Sequence, residues 1–163
     1  MSPYLIDKSR MPVIVGVAQL VDREKTERQM DPLKVMAEAG RGAGSDASLS
    51  NLDRVDTLYV VNCLSRKLKT PTQDLSSIMG IRPAETAYSG AEGTSPQWFV
   101  NRAAERIYLG KSQWVLICGA EAFYAHEKRV PVSRLLDDHL SDDAVSPELR
   151  FVGDTRSPLT DIE

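Results

Sequence analysis

Apolar runs with the character of buried strands alternate with helical patterns along most of the chain. Met11–Gln19 is apolar at nearly every position and rich in β-branched residues, which predicts a strand buried on both faces. Val55–Asn62 and Gln113–Ala120 have the same character, and Glu85–Tyr88 predicts a shorter, weaker strand. Parallel strands buried on both faces belong to sheets with helices on each side.

Three helical patterns separate these strands. Asp31-Pro32 predicts an N-cap with proline in the first turn, and the glycines from 40 to 44 weaken the end of that helix, where they allow close packing or a loop. Pro71–Met79 predicts a short helix closed by a glycine, and Ser95–Leu109 is the strongest helical pattern. The order βαβαβαβ predicts an α/β fold, mainly a parallel sheet with helices on both faces.

The regular pattern ends after Ala122. Residues 1–122 carry 15 basic and 14 acidic residues, whereas residues 123–163 carry 5 basic and 9 acidic ones. We therefore predict one α/β domain over 1–122 and the incomplete start of an irregular loop domain over 123–163. No capping glycine or polar tail marks the end at Glu163, so we expect the chain to be truncated or split there.

Composition excludes several classes of protein. The net charge of −3 offers no basic excess for nucleic acid or an anionic membrane, and the apolar runs are too short to span a bilayer. Two cysteines outside any C-x-x-C pair, with only two histidines, indicate neither a disulfide framework nor a metal site. This cysteine usage is typical of the reducing cytoplasm, where we expect the protein to be located.

The segment Ser89–Phe123 carries the most information. A loop of small residues, Ser89–Thr94, leads into a helix with apolar side chains on more than one face, which predicts burial on most sides. Thr94 and Gln97 have capping-box spacing; alternatively, Ser95 caps the helix with proline following it.

Four motifs in order carry a resemblance to a known family. In chain order they are P-V-I-V-G-V-A-Q at 12–19, D-P-L at 31–33 and L-D-R-V-D at 52–56. The fourth is A-A-x-x-I-x-x-G at 103–110, followed by a strand that ends in G-A-E at 119–121. Together they resemble the N-terminal half of thiolase-superfamily proteins of the acetyl-CoA acetyltransferase-like, sterol-carrier type, over residues 11–123. The resemblance and the two-sided apolarity of the strands predict that Met11–Gln19 and Gln113–Ala120 are adjacent central strands.

The resemblance implies a catalytic cysteine at the N-terminus of the central helix, where the helix dipole favours a thiolate that attacks an acyl-CoA thioester. That position falls at Gly93, within a residue, and Glu92, Thr94 and Ser95 around it are not cysteine. The family's second half, with its histidine and further cysteine, does not occur in these 163 residues. We therefore predict no catalytic residue, and substrate binding at Gly93, Thr94 and Ser95.

Several single residues have a chemical and a plainer interpretation. Ser95 is a substitute nucleophile or a helix cap, and we favour the cap; Glu92 is a base or, more simply, a solvated carboxylate. Cys63 is a reactive thiol activated by Arg66 and Lys67 or an ordinary loop thiol, which we favour. Cys118 is most simply a core thiol. His126 is a general base or a solvated histidine, and Glu121 is a ligand-binding carboxylate at the sheet edge or one satisfied by backbone N–H groups; we favour the second interpretation of each.

Four functions are compatible with the sequence, and the resemblance implies the three that are thiolase-like. The first is the N-terminal portion of a thiolase-like acyl-CoA acyltransferase, inactive alone. The others are a non-catalytic acyl-CoA-binding or assembly subunit, part of a thiolase-like C–C lyase acting on CoA thioesters with a partner subunit, and an unrelated flavodoxin-like module. Each of the thiolase-like functions implies no cofactor other than a coenzyme A thioester as substrate. Because the central helix is apolar on several faces, we expect a homodimer through Glu85–Tyr88 and that helix, or a complex with a missing thiolase half.

Overall fold

The computed structural model describes residues 8–21 and 31–123, which form an α/β structure with a parallel sheet. A turn of 3₁₀ helix at Lys8–Arg10 precedes the regular elements. These are α1 (Pro32–Asp46), β1 (Thr57–Val60), α2 (Pro71–Met79), β2 (Glu85–Tyr88), α3 (Ser95–Tyr108) and β3 (Val115–Cys118). The predicted α/β class with helices on both faces of a parallel sheet is confirmed.

β1 is the central strand, with β2 on one side and β3 on the other, both parallel to it. All four of its residues are buried, as two-sided apolarity predicted. Leu58 and Val60 pack with α1 and α2 on one face, while Tyr59 packs with Phe99 of α3 on the other. The sheet therefore lies in the middle of three layers.

α1 begins as predicted but continues past its glycines. The Asp31 carboxylate accepts a hydrogen bond from the Leu33 N–H at 2.9 Å, and the helix runs on to Asp46. A Cβ at Gly40 would lie 3.1 Å from Met79 Sδ, and one at Gly44 would lie 2.6 Å from a Leu52 methyl carbon. Of the two alternatives for these glycines, close packing is confirmed and a loop is wrong, because the glycines let α1 lie close to α2 and to the loop that follows α1.

The other predicted elements are recovered with shorter ends. Pro71–Met79 and Glu85–Tyr88 have the predicted bounds, and α2 is closed by Gly80 in the left-handed conformation at φ 72°. β1 and β3 are four residues each, since their flanking residues form loops. At the amino edge the Asp56 carboxylate accepts the Gln113 N–H at 2.7 Å and so fixes the start of β3 beside β1.

The prediction for Met11–Gln19 is wrong. This stretch is not a strand and is not hydrogen-bonded to β3, which is an edge strand of the described sheet. It lies instead along α1, where the Val17 N–H donates to the Asp46 carboxylate at 2.8 Å and a Cβ at Gly16 would meet the Ala43 carbonyl oxygen at 2.2 Å. Apolarity predicted burial, but Ile14 is 78% exposed, since no described segment pairs with this stretch.

The second predicted domain, with His126, lies outside the described residues. No helix within 8–21 and 31–123 is long and apolar enough to cross a membrane.

Candidate functional site

The carboxyl ends of the three parallel strands meet at one edge of the sheet, where α/β proteins bind ligands. The loop after β1 covers residues 61–70, the loop after β2 covers 89–94 and leads into α3, and the segment after β3 begins at 119. Hydrogen bonds between side chains and backbone N–H groups link these three segments to one another at this edge.

Glu121 holds the loop after β1 against the end of β3. Its carboxylate accepts the Leu64 N–H and the Ser65 N–H, both at 2.8 Å. In return, Ser65 Oγ accepts the Ala122 N–H at 2.8 Å. The interpretation of Glu121 as a carboxylate satisfied by backbone N–H groups is confirmed.

Asn62 joins the loops after β1 and β2. Its backbone N–H donates to Ser89 Oγ at 2.9 Å, and its side-chain Oδ1 accepts the Tyr88 hydroxyl at 2.9 Å. Burial raises the pKa of Tyr88 to about 12, so this phenol remains a donor at neutral pH. Among the described residues, the structure records no hydrogen bond from the side-chain amide Nδ2 of Asn62.

Ser95 is the first residue of α3 and is buried at 5% exposure. Its hydroxyl donates to the Gly90 carbonyl at 3.3 Å, and the N-cap is Thr94, whose side chain makes no capping bond. Gln97 bonds to Asn101 and not back to Thr94. Thr94 is thus the N-cap residue, but the predicted capping-box bonds are absent and Ser95 does not cap the helix. The buried, hydrogen-bonded hydroxyl of Ser95 is unsuited to attack a substrate.

Gly93 lies in open space in front of α3. A Cβ built there would meet no atom within 4 Å, and its backbone is not left-handed. Glu92 and Thr94 are exposed on either side. A side chain at position 93 would thus be accommodated beside the helix N-terminus without displacing any described residue.

A cleft of about 410 Å³ lies next to this helix start. It is lined by apolar side chains and by Asn62, Pro96 and Glu121. The predicted binding residues Gly93, Thr94 and Ser95 do not line this cleft. Sequence reasoning missed Asn62, whose only signal was its position directly after a buried strand.

Neither cysteine is placed as a nucleophile. Cys63 is fully buried against Ser65 and Glu121, and burial raises the pKa of its thiol. Arg66, the candidate activator, forms an ion pair with Asp31. Burial raises the pKa of Cys118 from 9.0 to about 12, so its interpretation as a core thiol is confirmed. Within the described segments, no group of three His, Cys, Asp or Glu could hold a metal ion.

We expect both native thiols to react slowly with iodoacetamide at pH 8 and the Gly93→Cys thiol to react fast. The native thiols are buried and protonated, whereas a thiol at position 93 is exposed and its thiolate is favoured by the helix N-terminus. Mass spectrometry would count the labelled sites over time, with the exposed Thr86→Cys variant of β2 as a control for exposure alone. Equal rates at positions 93 and 86 would contradict a helix effect.

The fold is similar to that of known thiolase-superfamily proteins. It matches the monomeric SCP2-thiolase-like protein type 1 of Mycobacterium smegmatis at 26% sequence identity with a TM-score of 0.58, over 68% of this chain and 23% of that protein. The resemblance to the thiolase superfamily inferred from the sequence motifs is thereby confirmed. The chain spans less than a quarter of that protein's length.

A second similar structure is the cerulenin-bound OleA of Xanthomonas campestri, at 15% identity and a TM-score of 0.49, over 70% of this chain and 37% of that one. No protein-family model matches the sequence. No curated protein matches it either.

Proposed function

We propose that this chain is the N-terminal portion of a thiolase-like acyl-CoA acyltransferase, that it binds the acyl-CoA thioester, and that it is inactive alone. The observation that carries the proposal is the open start of α3. Position 93 has room for a nucleophile and holds glycine, while both thiols of the chain are buried elsewhere.

The start of α3 suits a thioester. The first turn of a helix has N–H groups without intrahelical partners and a partial positive charge, and both favour an oxygen that develops negative charge. The cleft beside it has apolar walls from Val61, Ile117 and Ala120, with Asn62 as a polar group at its rim. Small-molecule sites are mostly apolar with a few polar groups that fix orientation. In this proposal the acyl chain enters the cleft and the Asn62 amide donates to its carbonyl.

Catalysis in this proposal requires a second polypeptide segment. The exposed loop 91–94 provides no acid, base or nucleophile apart from the solvated Glu92. The missing groups would come from the rest of a thiolase-like fold, either further along a longer chain or in a cytoplasmic partner subunit. A second copy of the described residues would bring only the same side chains to the site.

Calorimetric titration with acetyl-CoA tests the proposal. We expect binding without thiolysis of acetoacetyl-CoA, and a loss of affinity of roughly fivefold for Asn62→Ala, which is the value of one neutral hydrogen bond. Tyr88→Phe is the matched control, since it removes the bond to Asn62 Oδ1 and keeps the amide. No detectable heat with acetyl-CoA, or turnover by the chain alone, would refute the proposal.

A further inference from the structure

The cleft beside the start of α3 has a single charged side chain on its wall. Apolar side chains form most of the wall, among them those of Val61, Ile117 and Ala120. Cys118 also lines the cleft and keeps its proton at neutral pH, because burial raises the pKa of its thiol to about 12. Among the described residues that line the cleft, Glu121 is the only charged one. One carboxylate therefore determines the charge of this wall.

Hydrogen bonds hold the Glu121 carboxylate in place. Its Oε1 accepts the Leu64 N–H and its Oε2 accepts the Ser65 N–H, both at 2.8 Å. Hydrogen bonds to an ionised acceptor are among the stronger ones, and N–H dipoles hold the carboxylate without cancelling its net charge. A surface carboxylate without such bonds would rotate into water when an incoming group repels it. That of Glu121 can do so only by releasing the loop after β1.

Glu121 and Asn62 contribute to the same cleft from adjacent segments. The Val61 N–H donates to the Cys118 carbonyl at 2.8 Å, which places the residues after β1 beside those after β3. An acyl thioester with its carbonyl at the Asn62 amide would therefore extend its chain along a wall that includes Glu121. The chemical group at the far end of the chain then decides how it interacts with this carboxylate.

We propose that the cleft selects acyl-CoA thioesters with an uncharged, apolar acyl chain, and that Glu121 excludes chains that end in a carboxylate. The inference rests on the proposed function, in which the acyl chain occupies the cleft. Two carboxylates in one cleft repel each other, and the lining residues include no cation that would replace the water lost by the second one. A terminal methyl group has neither penalty and gains apolar contact.

Calorimetric titration with hexanoyl-CoA and adipoyl-CoA tests this specificity. Their acyl chains have equal length and differ only at the far end, which is a methyl group in the first and a carboxylate in the second. The charges of the coenzyme A part are common to both, so they cancel in the ratio of the two dissociation constants. We expect the chain to bind hexanoyl-CoA roughly tenfold more tightly than adipoyl-CoA.

Glu121→Gln isolates the contribution of the charge, because it keeps one acceptor oxygen for the loop. We expect this variant to lower the ratio of the two affinities by roughly fivefold. Glu92→Gln is the matched control, since it removes an equal charge from the exposed loop before α3, and Glu92 does not line the cleft. The control should leave the ratio unchanged.

Salt gives a second measurement that needs no variant. Repulsion at an exposed carboxylate is screened, so the ratio for the unmodified chain should fall as sodium chloride is raised to about 1 M. Equal affinities for the two thioesters, a ratio that neither Glu121→Gln nor salt lowers, or an equal effect of Glu92→Gln would each overturn the proposed specificity and leave the proposed function standing. Failure to bind either thioester would instead remove the proposed function, and the specificity with it.

Discussion

Replacing Phe99 with alanine is expected to lower the free energy of unfolding by about 3–5 kcal/mol, the usual cost of deleting a buried aromatic ring. Phe99 is fully buried and stacks on Tyr59 with ring centroids 4.7 Å apart. It is the main contact between α3 and the central strand, so its loss also loosens the helix that begins at the candidate site.

Urea unfolding followed by circular dichroism would measure this change. Tyr108→Ala is the matched control, because this ring is on the same helix and is 44% exposed. We expect the control to cost less than about 1 kcal/mol. Similar losses for the two variants would contradict the assignment of Phe99 as the anchor of α3.

Replacing Glu121 with alanine is expected to lower the free energy of unfolding by about 2 kcal/mol, because two backbone N–H groups of the loop after β1 lose a charged acceptor. Glu121 is exposed, so water competes for these N–H groups and moderates the loss. Glu121→Gln keeps one acceptor oxygen and should lose less.

Thermal unfolding would rank the three proteins, with Glu105→Ala as the control, since Glu105 forms an exposed ion pair with Arg102. That control should change stability by less than about 0.5 kcal/mol. We also expect Glu121→Ala to speed alkylation of Cys63, which lies under the same loop. An unchanged rate would show that Glu121 does not hold this loop closed.

The sequence predicted the elements that local chemistry determines. Asp31 followed by proline determines where α1 begins, Gly80 determines where α2 ends, and the apolar run around Leu58 determines the buried central strand. At both helix ends one or two neighbouring residues satisfy the backbone, and for β1 the apolar run alone indicates burial, so these predictions need no knowledge of distant contacts.

The errors lie where distant contacts decide. Apolarity at Met11–Gln19 predicted a strand buried on both faces, whereas most of this stretch is exposed and not a strand, because burial and pairing depend on which segments lie beside it. The glycines of α1 were compatible with close packing or a loop, and only the distant contacts with Met79 and Leu52 decide for close packing. For the site, the sequence identified the loop before α3 and missed Asn62, because its bond to Tyr88 links residues 26 positions apart.

The parallel pairing of β1 has a consequence for synthesis of the chain on the ribosome. Val115 of β3 follows its partner Thr57 by 58 positions (115 minus 57). At 5–20 residues per second, β1 leaves the ribosome roughly 3–12 s before β3 is available to it. During that interval one hydrogen-bonding edge of a strand that is fully buried in the folded protein is unpaired, so we expect chaperones that bind unfolded segments to recognise the nascent chain. Mutations that delay β3 would then lower the yield of folded protein without changing its final stability.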